Sequence, residues 1–182
     1  MRRLAAIALS ASLLALSAEG GQAQPARESG ASPAADPAAC TQFDWSLLRE
    51  QAWFSAASLP RLDSGGTLAA AMPAAILVLK PQDAVAPPFA PSREPKPGSY
   101  GGVLHLEAPL APGAYQVTLS DRAWIDVSQD GKTPRPPTAS TMRPGCPMLA
   151  KSVRFQLGTA PITLLVSGAP ADTIRIAVAP VE

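Results

Sequence analysis

The second half of the chain consists of short runs in which apolar and polar residues alternate, as in residues 151–157 (KSVRFQL). Successive side chains of a strand point to opposite faces, so this pattern predicts strands with one face in a core and one in water. Strands with no helical segment between them predict a β-sandwich or a partly closed barrel. Seven such runs occupy residues 74–80, 103–108, 114–120, 123–128, 151–157, 162–167 and 173–179.

The remaining segments predict one helix and two loops. Apolar residues at helical spacing predict a helix over residues 41–58, with Thr41 and Asp44 as candidate N-terminal caps. Residues 81–100 contain six prolines and residues 132–149 contain five. Proline cannot donate a hydrogen bond to a sheet, so both segments are predicted to be surface loops. We expect any binding surface on these loops and on the water-facing sheet faces.

The start of the chain has the layout of a secretory signal peptide over residues 1–24. Arg2 and Arg3 precede an apolar stretch over residues 4–16, and small residues up to Ala23 form a candidate cleavage site. The apolar stretch is shorter than the roughly 20 residues that cross a bilayer. Residues 25–39 predict a flexible leader, and residues 40–182 predict the β-sandwich domain. We therefore predict a periplasmic or secreted protein with no membrane attachment after cleavage.

Charge argues against two classes of partner. Cleavage would remove two of the 15 basic and one of the 14 acidic residues, which leaves the mature chain without net charge. A neutral chain without a basic cluster favours neither nucleic acid nor anionic lipid as a partner.

Cys40 and Cys146 are the only cysteines. In an oxidising compartment, two cysteines of a small domain most often form a disulfide. The chain has no Cys-x-x-Cys spacing, so a redox centre is not favoured. We predict a structural bridge between them.

The run at residues 123–128 contains the strongest candidates for ligand binding. If Ile125 and Val127 face the core, then Trp124, Asp126 and Ser128 share the opposite face. An exposed indole beside a carboxylate is typical of sugar-binding faces, because the ring stacks on the sugar and the acid bonds its hydroxyls. The opposite register would instead bury Trp124 in the core.

His105 is the only histidine. It lies between Leu104 and Leu106 in an alternating run, so we expect it to point outward as a further binding candidate. A catalytic base needs a nucleophile and an orienting acid nearby. The enzyme alternative would centre on His105, Glu107 and Asp126.

A weak calcium motif overlaps this region. Asp126, Ser128 and Asp130 occupy positions 1, 3 and 5 of a calcium loop, and Gly131 occupies position 6. Position 12, which should be Glu, is Pro137. The alternative is a β-turn, for which Asp-Gly is a strong signal.

Two arginines, Arg154 and Arg175, are expected on water-facing strand faces. Pairing with an acid across the strands is the ordinary role of such residues, and anion binding is the alternative.

Two resemblances bear on fold and function. Residues 111–119 (APGAYQVTL), followed by Ser167-Gly168 and a closing apolar strand, are similar to bacterial pre-peptidase C-terminal domains, which are secreted jelly-roll β-sandwiches. The whole chain resembles a family of small exported proteobacterial proteins with stretches like AWIDVSQDGK, CPMLAKSVRFQL and SGAPADTIRIAVAPVE. Some members carry the label homogentisate dioxygenase, which would imply an iron site, typically of two histidines and a carboxylate. With His105 alone, no residues of such a site can be carried over.

These observations together predict an antiparallel, jelly-roll-like β-sandwich with one short N-terminal helix. We expect it to act by binding, without a cofactor, on an envelope polysaccharide or another exported protein. Two alternatives remain: a metal-dependent secreted enzyme centred on His105, and a structural protein whose exposed strand pairs with a partner.

Overall fold

The computed structural model describes residues 35–182. The predicted signal peptide and most of the predicted leader lie outside the described residues. Within residues 35–182, the structure contains no helix that is long and apolar enough to cross a membrane.

Strands dominate the described part of the chain. One α-helix, α1 (Leu48–Phe54), precedes them, and short 3₁₀ helices occupy Pro37–Thr41 and Gln82–Ala84. The eleven strands are β1 (Arg61–Asp63), β2 (Thr67–Leu68), β3 (Ala74–Val78), β4 (Lys80–Pro81), β5 (Tyr100–Leu106), β6 (Gly113–Leu119), β7 (Trp124–Ser128), β8 (Ala139–Met142), β9 (Lys151–Leu157), β10 (Ile162–Ala169) and β11 (Thr173–Pro180).

The strands form two sheets. The six-stranded sheet has the order β1-β3-β11-β6-β9-β8, and the five-stranded sheet has the order β2-β5-β10-β7 with β4 beside β5. Most neighbours are antiparallel, and the pairs β1–β3 and β2–β5 are parallel. The sheets are therefore mainly antiparallel, as predicted, and each contains one parallel pair that the sequence did not indicate.

The main core lies between the two sheets. The six-stranded sheet contributes Leu77, Leu119, Phe155 and Ile176, and the five-stranded sheet contributes residues such as Leu104, Val127 and Leu164. None of these side chains is more than 2% exposed. The predicted β-sandwich is confirmed, and alternation explains it because every second residue of each long strand enters this core.

All seven predicted strands are present, and four shorter ones were missed. β1, β2 and β4 have two or three residues each, too few to show an alternation. β8 corrects the prediction of a surface loop over residues 132–149. The prolines of this segment flank residues 139–142 without entering them, which leaves four backbone units free to pair with β9.

The predicted helix over residues 41–58 is too long. Its candidate cap Asp44 accepts a hydrogen bond from Arg143 at 2.6 Å, and α1 begins only after Leu47, which provides no side-chain cap. Residues 37–39, predicted to end the flexible leader, belong to a 3₁₀ helix because Asp36 accepts a hydrogen bond from Ala38 N and caps it.

The N-terminal segment, residues 36–59, covers the outer face of the six-stranded sheet. Phe43, Leu47 and Phe54 form a second apolar cluster there with Leu149 and Ala177. The predicted disulfide between Cys40 and Cys146 is present and joins this segment to the β8–β9 connection. Such bridges are typical of proteins from oxidising compartments.

The connection from β4 to β5, residues 82–99, is called the proline-rich segment below. Its start is fixed to the five-stranded sheet, because Gln82 Oε1 accepts a hydrogen bond from Gly168 N of β10 at 3.1 Å. Gln82 N also donates to Ser99 O at 2.9 Å, which joins the two ends of the segment. Gly101 permits this approach, since a Cβ there would lie 2.6 Å from Gln82 Oε1 and 2.9 Å from Val166 O.

Candidate binding site

The outer face of the five-stranded sheet has several polar side chains, three of which are buried: Asp126, Ser128 and Ser167. Because Ile125 and Val127 enter the core, Trp124, Asp126 and Ser128 point to the other side, as one of the two predicted registers has it. The strand register extends this face across β10 and β5. It places Ser167 beside Trp124, Leu165 between Asp126 and Val103, and Thr163 between Ser128 and His105.

The proline-rich segment is fastened over this face by Ser92. The backbone N–H of Ser92 donates to Asp126 Oδ2 at 3.2 Å, and its hydroxyl donates to Asp126 Oδ1. The indole N–H of Trp124 donates in turn to Ser92 Oγ at 2.6 Å. Asp126 is only 3% exposed, and a buried carboxylate needs such partners to offset the loss of water.

Two cations lie against the indole of Trp124. The guanidinium carbon of Arg93 is 4.3 Å from the ring centroid, and the Lys151 ammonium is 4.4 Å from it. Lys151 Nζ also donates to Ala123 O at 3.0 Å. Burial of the ammonium group and the charge of Arg93 lower the pKa of Lys151, and the charge of Asp126 opposes this shift. Trp124 is therefore half-buried, and Arg93 and Lys151 cover part of its indole. A sugar could stack on the covered part of the ring only by displacing one of these two side chains.

A cavity of about 690 Å³ lies between the proline-rich segment and the sheet. Leu165 and Ser167 line it from the sheet, Tyr100 lines it from the start of β5, and five prolines contribute ring surfaces. Ser167 is 1% exposed, and its hydroxyl has no hydrogen-bond partner among the described residues. Gln82, Asp83, Glu94 and Ser99 add polar groups. The cavity thus combines ring faces with hydrogen-bonding groups.

A second cavity of about 280 Å³ contains His105. Lys80, Ser64 and Val85 also line it, and Val85 borders both cavities. His105 points outward as predicted, and its Nδ1 lies 3.4 Å from the Thr163 hydroxyl.

The groups of the enzyme alternative have separate partners. Glu107 Oε2 accepts a hydrogen bond from Ala70 N at 2.9 Å, and Asp126 is bonded by Ser92. In residues 35–182, no hydrogen bond joins His105 to either carboxylate.

The calcium motif forms a tight turn. Asp130 Oδ1 accepts hydrogen bonds from Ser128 Oγ, Lys132 N and Thr133 N, each at 2.8 Å. These donors, the backbone N–H of Thr133 foremost, lower the pKa of Asp130. Gly131 has a φ of +68°, which suits glycine. Over the described range, no three His, Cys, Asp or Glu side chains are grouped so that they could hold a metal ion.

The two candidate arginines lie away from this face. Arg154, on the outer face of the six-stranded sheet, has its guanidinium 4.0 Å from the Trp45 ring centroid, and Arg175 is exposed on β11. In the part of the chain that the structure describes, neither forms an ion pair with an acid.

Four residues of this site were not predicted from the sequence. Ser92 and Arg93 lie in a proline-rich loop with no periodic signal, and their role depends on where that loop folds. Lys151 was placed in a strand without a role. Ser167 could have been found, because it alternates with Leu164 and Val166 and must therefore lie on the same face as Leu165.

Fold and site define a disulfide-linked β-sandwich with a cleft between a proline-rich segment and a polar sheet face. A search of known proteins finds no matching family model, no similar curated protein and no similar solved structure. The resemblances to pre-peptidase C-terminal domains and to the exported proteobacterial family therefore stay predictions.

Proposed function

We propose that this chain is an exported, non-catalytic binding module of the cell envelope, and that carbohydrate binds in the larger cavity. The observation that carries the proposal is Ser167, a residue that lines a cavity of about 690 Å³ and whose buried hydroxyl has no protein partner in the described range. A buried hydroxyl without a hydrogen bond is unfavourable, so a ligand hydroxyl that paired with it would gain affinity.

The other walls suit a sugar ring. Tyr100 and the prolines offer flat apolar surfaces for the C–H faces of a pyranose, and Gln82, Asp83 and Glu94 offer hydrogen-bonding groups for its hydroxyls. Apolar walls with a few placed polar groups are the usual composition of a small-molecule site. Another exported protein, binding through a projecting side chain, is the alternative ligand.

Export is part of the proposal. The disulfide and the signal-peptide layout of residues 1–24 both support the periplasm or the outside of the cell. Mass spectrometry of the protein recovered from a periplasmic extract gives its intact molecular mass and so tests export. We expect a chain that starts after residue 23 or 24, and recovery of the uncleaved chain from the cytoplasm would contradict export.

Titration with envelope glycans, followed by tryptophan fluorescence and calorimetry, tests the binding function. We expect binding that Ser167→Ala weakens about 5- to 10-fold, as for the loss of one hydrogen bond of about 1–1.5 kcal/mol. Ser140→Ala is the matched control, because Ser140 is exposed on β8 of the other sheet.

Three outcomes separate the proposal from its alternatives. No glycan binding, or binding that Ser167→Ala leaves unchanged, contradicts it. Turnover that His105→Ala abolishes would favour the enzyme. A protein complex that survives both Trp124→Ala and His105→Ala would favour strand pairing.

A further inference from the structure

The two cations at Trp124 differ from most other basic groups that the structure places in contacts. Arg49 forms ion pairs with Glu50 and Glu182, and Arg143 forms one with Asp44. Over residues 35–182, neither Arg93 nor Lys151 has a carboxylate oxygen within 4.0 Å, although both lie within 4.4 Å of one indole centroid.

The local charges do not balance. Asp126 is the acidic group that acts on Lys151, and both of its oxygens already accept hydrogen bonds from Ser92. Glu94 is next to Arg93 in the chain, is exposed and makes no ion pair in the described structure. At Trp124 itself, two cations thus face one engaged carboxylate, and this arrangement is complementary to an additional anion. The adjoining cavity has Asp83, Glu94 and Lys96 in its lining, so the favourable place for an anion is at Trp124 and not in the cavity.

Donors for an anion are available on both groups. Nothing in residues 35–182 accepts a hydrogen bond from the guanidinium of Arg93, whose planar fork matches the two oxygens of a carboxylate. Lys151 uses one of its three N–H donors on Ala123 O, which leaves two.

Neither cation lines the proposed carbohydrate cavity, but neighbours of Arg93 in the chain and of Trp124 in the sheet do. Pro91 and Glu94 line the cavity and flank Ser92 and Arg93 in the chain. Ser167, which also lines it, is paired in register with Trp124. A ligand that extends from the cavity past Ser167 or Ser92 would therefore bring an acidic substituent toward the cations at Trp124.

We propose that the ligand is an acidic polysaccharide, a polyuronate, whose sugar carboxylate binds Arg93 and Lys151 while the ring occupies the cavity beside Ser167. This inference rests on the proposed function and specifies its ligand class. Neutral sugars would fill the cavity but leave the two cations without an anionic partner.

The test compares two polymers with the same backbone, polygalacturonate and its fully methyl-esterified form, by calorimetry against the mature protein. We expect the ester to bind about 10- to 100-fold more weakly, as for the loss of charge-assisted hydrogen bonds. Added salt should weaken only the binding of the acid form.

Variants assign the effect to the two cations. Arg93→Gln and Lys151→Met should each weaken polygalacturonate binding about 10-fold and leave binding of the ester unchanged. Arg175→Gln and Lys132→Met remove exposed charges elsewhere and should change neither. Lys151 is partly buried, so Lys151→Arg, which keeps the charge, should retain binding and shows that a loss in Lys151→Met is not misfolding.

The outcomes distinguish this inference from the proposed function. Equal affinity for both polymers, or binding of the acid form that Arg93→Gln and Lys151→Met leave unchanged, overturns the polyuronate while carbohydrate binding stands. Binding of neither polymer, together with no binding of any neutral glycan, overturns both.

Discussion

At the scale of single residues, Ser92 has the most consequential set of contacts at the site. Its backbone and hydroxyl both donate to Asp126, and its hydroxyl oxygen accepts from Trp124. One small side chain therefore satisfies a buried carboxylate, orients the indole and holds the proline-rich segment on the sheet. The position of Trp124, and with it that of the two cations, depends on this serine.

The ionised carboxylate of Asp130 stabilises the folded protein, so we expect the folding stability to fall as the pH is lowered. Its pKa is lowered in the folded protein by hydrogen bonds from Thr133, Lys132 and Ser128. The unfolded-state pKa is about 3.9, so the stabilisation is fully present above that pH and is lost as the pH falls toward the folded-state pKa. We expect Asp130→Asn to lower the melting temperature at pH 7, with a difference that shrinks below about pH 4.

Thermal unfolding of both proteins between pH 7 and pH 2 measures this effect. Asp172→Asn serves as the control, because Asp172 is exposed and its side chain makes no hydrogen bond within the described residues. A difference between wild type and Asp130→Asn that stays constant down to pH 2 would contradict the assignment.

Single-residue roles could be predicted only where they follow from a local pattern. Alternation placed Trp124, Asp126 and Ser128 on one face, and Asp-Gly indicated the turn at residues 130–131. The partners Ser92 and Lys151 are 32 and 27 residues from Trp124 in the chain. Contacts of this kind depend on how loops fold over the sheets, and no local pattern encodes that.

At the scale of elements, the start of the proline-rich segment depends on the absence of a side chain on β5. A Cβ at Gly101 would lie 2.6 Å from the Gln82 side chain and 2.9 Å from the carbonyl oxygen of Val166. We expect Gly101→Ala to reduce the free energy of unfolding by about 1–3 kcal/mol, the usual range for overpacking. Urea denaturation measures this change.

Gly113→Ala is the matched control for that experiment. Gly113 begins β6, and a Cβ there meets nothing within 4 Å. Its effect should stay within about 0.5 kcal/mol, as for most surface substitutions. Equal effects of the two substitutions would show that the glycine at 101 is not needed for close packing.

The seven longer strands could be predicted because each has enough residues to show a period of two. The same pattern gave a wrong prediction for the strand faces that point away from the main core. Gln116, Thr118 and Ser152 alternate with core residues and were expected in water, but all three are buried beneath the N-terminal segment. Alternation shows which side chains point away from the main core, but it does not show whether water or another segment covers the other face of the sheet.

At the scale of the whole molecule, each sheet has its main cover on the outer face from a segment of little regular structure. The N-terminal segment covers the six-stranded sheet, and the proline-rich segment lies over the five-stranded sheet. The first cover is held by a disulfide and an apolar cluster. The proline-rich segment contacts its sheet through Ser92 and Arg93 and leaves two cavities between itself and the sheet. This outer face is therefore the better place for a ligand.

The disulfide predicts a large effect on global stability. Cys40 and Cys146 are 106 residues apart, and removal of a bridge of this kind typically costs about 2–5 kcal/mol. We expect Cys40→Ser/Cys146→Ser to lower the urea midpoint accordingly. A reducing agent should lower the midpoint of the wild type to the same value and leave the double variant unchanged. A midpoint that responds to neither change would mean that the covering segment is held by its apolar cluster alone.

The place of β11 in the six-stranded sheet has a consequence for the timing of folding. This strand, Thr173–Pro180, lies between β3 and β6, so residues about 100 positions apart in the chain become neighbours near the middle of the sheet. Closing such long loops is slow, and a nascent chain that lacks residues 173–180 has no strand to fill the gap. The six-stranded sheet can therefore close only after β11 has been synthesised, so β3 must wait for its partner strand during the synthesis of about 100 further residues.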